Sequence, residues 1–341
     1  MNSTQSRPVV LALRALGLGD FITGLPAIGL IKAALPGHQV VLAAPAVFGP
    51  LAPLVPAVDR LLPAAELAPI SPEPPELDVA IDLHGNGPAS RRLLSVLRPR
   101  QLHGFADPAG GLAGPTWLAG EHEVSRWCRL VTEVLPAPSS GWGENPAAGC
   151  QAVGCMLLPP VPMPRSLTVL HPGAAAPARR WPARRFVALA SALRDRGHHV
   201  VITGGPAEAP LARAVATEAV APALLGLSLL ELVSLIGRAR LVICGDTGLA
   251  HVASNYRIPS VLLFGPVSPA SWGPPADGPH RVLWHGDGIG DPHGQQVDPA
   301  LLAITVEEVL DAVDQLPGDR PAAITQRPAC SAGMSSPANE D

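Results

Sequence analysis

The sequence predicts an α/β protein built on doubly wound parallel sheets, and three observations carry that prediction. Short β-branched apolar runs alternate with longer helical patterns along most of the chain. In the second half every polar insertion follows such a run, so the insertions share one edge of a sheet, where folds of this kind bind ligands. The 341 residues, 47% of them hydrophobic, exceed one small core and suit about two domains.

The first half opens with a buried-strand pattern over residues 8–13. Arg14-Ala15-Leu16-Gly17-Leu18-Gly19-Asp20 follows, then an apolar helix over 21–35 closed by Pro36-Gly37, then a strand at 40–43. This βαβ unit invites a dinucleotide reading, which fails twice. The third glycine position of a G-x-G-x-x-G pattern begun at Gly17 is Ile22, and the second strand ends in Ala43-Ala44 with no acid for a ribose. Asp20 therefore has two compatible roles. It caps the helix that starts at Phe21, or it stands at the ligand edge of the sheet as a general base. A strand at 78–83 ends in His84-Gly85-Asn86-Gly87, a helix covers 90–97, and a short strand covers 101–105. His84 and Arg91 line the same crevice or are solvated surface groups. Residues 107–120 and 136–150 read as loops around a helix at 121–135, and the proline-rich stretch 156–165 as a stiff interdomain linker and hinge.

In the second half a strand at 167–170 ends in His171-Pro172-Gly173. An arginine-bearing loop with Arg179 and Arg180 follows, then a helix at 183–196 ended by Gly197. A strand at 199–203 leads to Gly204-Gly205-Pro206 and a helix from Glu208. An amphipathic helix at 229–237 precedes the apolar run 241–244. There Gly245-Asp246-Thr247-Gly248 breaks a strand and opens a helix, a strand–turn–helix unit whose outward N–H groups suit a phosphate. Asp246 and Thr247 also serve as helix caps in the plainer reading. His251 lies five residues after Asp246 and shares a cleft with it only if the turn at Asp246 is non-helical. Arg179 and Arg180 would face this turn, and two arginines beside a helix N-terminus suit a diphosphate; two solvated loop arginines are the alternative. A strand at 260–264 and a terminal helix at 305–316, with Thr305 and Glu308 as a capping box, complete the pattern. Residues 317–341 are polar and are expected to be disordered.

Composition excludes several classes. The net charge of −4 gives no basic footprint for nucleic acid, and Lys32 is the sole lysine among arginines. The chain starts without a charged segment followed by an apolar one, and Pro45, Pro50, Pro53 and Pro56 interrupt the most apolar stretch, 40–58. The five cysteines are irregularly spaced, and Cys150 and Cys155 have no second pair behind them, so zinc is not expected. A reduced, cytoplasmic protein is the expectation.

Taken together, six blocks in order resemble glycosyltransferase family 9, the lipopolysaccharide heptosyltransferases. They are Arg14–Asp20, Asp78-Val79-Ala80-Ile81-Asp82-Leu83-His84-Gly85, Arg179-Arg180-Trp181-Pro182, Thr203-Gly204-Gly205-Pro206-Ala207-Glu208, Asp246-Thr247-Gly248-Leu249-Ala250-His251, and Phe264-Gly265-Pro266 with Trp272-Gly273-Pro274. The resemblance covers residues 8–316. It implies the GT-B fold, two Rossmann-like domains facing a cleft: 1–160 for the acceptor and 166–316 for the nucleotide-sugar donor. It also implies Asp20 as catalytic base, and a donor site at Arg179, Arg180, Thr203, Asp246, Thr247, Gly248 and His251. Arg14, His84 and Arg91 fall on the acceptor side. Arg179 stands where the family usually has lysine and His84 where it usually has glutamine, and neither change removes a needed charge.

The expected chemistry is inverting transfer of a heptose from ADP-heptose to a glycan or glycolipid hydroxyl. No Asp-x-Asp motif is present, so protein groups and not a metal are expected to neutralise the leaving diphosphate, and no cofactor is expected. The expected setting is the cytoplasm, at the inner face of the membrane. A nucleotide-sugar epimerase, with His251 and Glu208 as acid–base pair, and a non-catalytic sugar-nucleotide binder are the alternatives.

Overall fold

The computed structural model describes residues 7–70, 76–139, 141 and 156–317. The expected disordered tail lies outside the described residues apart from Pro317, as do Cys150, Cys155, Cys330 and most of the expected loop at 136–150.

Two all-parallel sheets form. The first holds β1 (Val9–Leu13), β2 (Gln39–Ala44), β3 (Arg60–Pro63), β4 (Leu77–Asp82) and β5 (Gln101–His103), in the order β3-β2-β1-β4-β5. The second holds β6 (Thr168–His171), β7 (Val200–Gly204), β8 (Ala223–Leu225), β9 (Leu241–Gly245), β10 (Ser260–Leu263) and β11 (His280–Leu283), in the order β11-β10-β9-β6-β7-β8. Both wind the same way. Each begins at a central strand, runs out to one edge, and returns to the other side of the first strand. The direction of winding therefore reverses between β1 and β4 and again between β6 and β9, and crevices open at such reversals.

The helices in chain order are α1 (Leu18–Ala34), α2 (Pro88–Val96), α3 (Glu123–Val134), α4 (Ala183–Asp195), α5 (Ala209–Glu218), α6 (Leu229–Gly237), α7 (Gly248–Asn255), α8 (Pro269–Trp272), α9 (Pro299–Ala303) and α10 (Val306–Asp314). Period-two alternation along the strands feeds three cores. Val9, Leu11 and Leu13 face an outer core under α2, and Leu170, Leu241 and Ile243 face another under α4, α5 and α10. Val10, Ala12, Val169, Val242 and Cys244 face inward, into one continuous core that joins the two sheets.

Helix α1 lies in that inner core. Phe21, Ile22, Leu25, Ile28 and Ile31 leave it no polar face, which fits a helix covered on nearly every side. It packs on α3 and α7. Its last turn carries Lys32, paired with Asp59 at 2.6 Å. The expected linker is tied down at several points. The Leu157 N–H donates to the Leu54 carbonyl at 2.7 Å, and Asn255, Tyr256 and Ser234 donate to the carbonyls of Met156, Leu157 and Val161. The apolar stretch at 40–58 is strand β2 followed by 3₁₀ turns at Ala46–Leu54. Among the described residues no helix is long and apolar enough to cross a membrane.

Candidate active site between two helix starts

The site forms where the loops after β1 and β9 meet. Helix α1 begins three residues earlier than expected, with Gly17 as its N-cap, so Asp20 is not the cap. It sits within the first turn, and its carboxylate reaches back to accept the Gly17 N–H, as the third residue of a capping box does. Arg14 Nη2 donates to its Oδ1 at 3.2 Å. The side chain stays 27% exposed, open to the cleft. Burial raises its pKa above the usual carboxylate range, Arg14 opposes that rise, and Glu123 adds to it.

Across the cleft β9 ends at Gly245. Asp246 is non-helical, Thr247 is the N-cap, and α7 starts at Gly248. Arg179 donates through Nη2 to the Asp246 carbonyl and, at 3.0 Å, to its Oδ2. Its Nε is buried with no acceptor, and the buried Thr247 hydroxyl meets only the Cys244 thiol. One helix start thus presents two spare donors beside its own N–H groups, a set that suits an anion. Burial raises the Asp246 pKa, Arg179 opposes, and the charge of Asp20 adds to the rise.

The two helix starts touch. A Cβ on Gly248 would stand 2.9 Å from Leu18 Cβ, and one on Gly19 would stand 2.9 Å from His251 Cδ2. Only glycine permits this approach. His251 is wedged at the seam against Trp272, with ring centroids 5.8 Å apart, and burial lowers its pKa to about 4, so the imidazole is neutral. His122, the N-cap of α3, reaches the Gly273 carbonyl at 3.0 Å and closes the same seam.

On the donor side three residues lie elsewhere than expected. Arg180 turns away from Asp246 and donates to the Ala174 carbonyl at 2.9 Å. Thr203 is 1% exposed and lies behind His171, its hydroxyl 3.3 Å from His171 Nδ1. Glu208 pairs with His171 at 3.4 Å and not with His251, so the acid–base pair of the epimerase alternative does not form. The hydrogen bond from His171 holds the Glu208 carboxyl below its usual range, and the Gly205 N–H also donates to it.

On the expected acceptor side, Arg14 is buried and satisfied by carbonyls and carboxylates instead of facing the cleft. Arg91 is buried as well, bonded to the Asn86 carbonyl at 2.6 Å and to Asp107 at 2.6 Å. His84 does face space. Its Nδ1 accepts the Ala15 N–H, and with Leu16, Pro45, Glu66 and Leu67 it lines an open groove of about 490 Å³ beside the start of α1. Burial lowers its pKa. Sequence reasoning missed Glu123, whose partners Arg126 and Trp127 follow at helical spacing on α3. Among the described residues no group of three or more His, Cys, Asp or Glu side chains gathers to hold a metal ion.

Solved structures share this architecture. The structure of E. coli ADP-heptose lipopolysaccharide heptosyltransferase II superposes with a TM-score of 0.68 at 21% identity, covering 89% of this chain and 97% of that one. E. coli heptosyltransferase WaaC with ADP gives 0.68 at 20%, covering 90% and 99%. The fold is GT-B. Residues 117–285 match glycosyltransferase family 9 (heptosyltransferase). Lipopolysaccharide heptosyltransferase 2 of E. coli K12 is 34% identical over 158 residues, 42% of this chain and 45% of the relative. Lipopolysaccharide heptosyltransferase 3 of E. coli is 31% identical over 161 residues, 45% and 47%. The matched region spans about half the length of these curated relatives. Over residues 117–285 the chain is similar to glycosyltransferase family 9.

Proposed function

We propose that the protein is an inverting, metal-independent glycosyltransferase that moves heptose from ADP-heptose to a hydroxyl of a glycan or glycolipid, as in lipopolysaccharide core assembly. One observation carries the reading: a carboxyl poised as a base and an anion-ready helix start meet at the Leu18–Gly248 contact. The relatives named above are heptosyltransferases, and one neighbouring structure holds ADP-2-deoxy-2-fluoro heptose. Asp20 takes the proton of the acceptor hydroxyl as its oxygen attacks the anomeric carbon. The bond to the diphosphate breaks on the opposite face, and its electron pair leaves with the nucleotide, so a single displacement inverts the centre. Arg179, the Thr247 hydroxyl and the N–H groups of Thr247 and Gly248 take up the growing negative charge. The groove at His84 receives the acceptor. The setting is the inner face of the membrane, where a lipid-linked acceptor is presented.

Turnover of ADP-heptose by Asp20→Ala tests this. Loss of a positioned base is expected to cost about 10²–10⁴-fold in rate with ADP affinity unchanged. Weakened ADP binding with intact turnover would overturn the role.

A further inference from the structure

Behind Asp20 a chain of alternating charges leaves the cleft and enters the core. Arg14, 1% exposed, uses the same Nη2 to reach Asp20 Oδ1 at 3.2 Å and Glu123 Oε1 at 2.9 Å. Glu123 is buried on the first turn of α3. Its Oε1 also accepts the Trp127 indole N–H at 2.7 Å, and its Oε2 accepts from Arg126 Nη1. Arg126 is anchored in turn by the Glu121 carbonyl at 2.7 Å and lies over the Trp117 ring, while Arg14 lies over Trp127. Glu123 and Arg126 are both shielded from the cleft, so neither donor nor acceptor accounts for them. What they do is divide one guanidinium between a carboxylate in the cleft and a carboxylate in the core.

We propose that Glu123 is a positioning residue that sets the proton affinity of Asp20 by competing for Arg14. The proposal rests on the reading of Asp20 as the general base. An arginine held by one carboxylate alone lowers that carboxylate's pKa by about 1–3 units, which would leave a weak base. A second carboxylate on the same guanidinium counters the effect and adds its own like charge. The remaining charged and titratable groups around Asp20 are Asp246 with its partner Arg179, the neutral His251 beyond Gly19, His122 at the same seam, and His84 on the groove side. Substitution at Glu123 leaves all of these in place.

The test is a ¹³C NMR titration of the Asp20 carboxyl in the full chain, assigned by its loss in Asp20→Asn. In Glu123→Gln the midpoint is expected to fall by about one pH unit, because a like charge is gone and Arg14 turns wholly to Asp20. The acid limb of kcat/KM is expected to move the same way, with ADP affinity unchanged. Arg14→Met combined with Glu123→Met removes both charges at once, while Arg126 loses its carboxylate partner and keeps the Leu118 and Glu121 carbonyls. Here the midpoint is expected to rise, since the stronger influence of Arg14 is lost. Opposite shifts in the two variants support the proposal. An unmoved midpoint in both overturns it and leaves Glu123 a packing residue. If the midpoints shift but Asp20→Ala keeps its turnover, the tuning stands and the base assignment falls.

Discussion

Asp20 and Asp246 are carboxyls on opposite sides of one cleft, and burial holds each above its usual range. An acid whose pKa is raised on folding gives its full stabilising contribution below its unfolded value. That contribution is lost as pH rises through the folded value. At neutral pH the ionised Asp20 therefore weakens the fold it serves. Asp20→Asn, a neutral isostere, is expected to raise Tm at pH 7 by about 2–4 °C if the relief is near 1 kcal/mol. The gain should vanish as pH falls below the ordinary aspartate range. Calorimetry at pH 7 and pH 4 checks the sign; a variant no more stable than wild type at pH 7 would refute it. That Asp20, Asp246 and Arg179 lie beyond strand ends was legible in the sequence, because each follows an apolar run. The burial of Arg14 was not, since its partner Glu123 stands 109 residues away.

The start of α7 is a contact surface as well as an anion site. Gly248→Ala places a methyl 2.9 Å from Leu18 Cβ and 3.2 Å from the Gly19 nitrogen, so the two helix starts must part. A displacement approaching 1 Å between reacting groups is expected to lower kcat by about 10²-fold. Donor affinity should change little, since the α7 N–H groups keep their places. Steady-state kinetics with ADP-heptose separate the two effects. Elements with strong apolar runs or clear caps, such as β9, α6 and α10 with its Thr305–Glu308 box, could be read directly. Strands β3, β8 and β11 could not. They are edge strands of three or four residues, half-buried, and so carry no continuous apolar run.

At the level of the whole molecule, the repeated winding gathers the site. Asp20 and Arg179 follow β1 and β6, and His84 and Asp246 follow β4 and β9, the strands at which each sheet reverses. The sequence showed which residues follow strands, but not which strands are neighbours. If the donor site is correctly placed, ADP at about 100 times its Kd adds about 2.7 kcal/mol. The unfolding midpoint should then rise by several degrees, at roughly 2–4 °C per kcal/mol. Arg179→Ala should lose most of the shift. A full shift in the variant would remove Arg179 from the site.

The inner core that joins the sheets also bears on how the chain is made. Helix α1 has no polar face, and α7, which covers it, is translated about 230 residues later, some tens of seconds at roughly 5–20 residues per second. Until then the nascent first half holds the apolar α1 under an incomplete cover. The ribosome thus delivers an adhesive intermediate first, and a chaperone that shields it while synthesis finishes should raise the yield of folded protein.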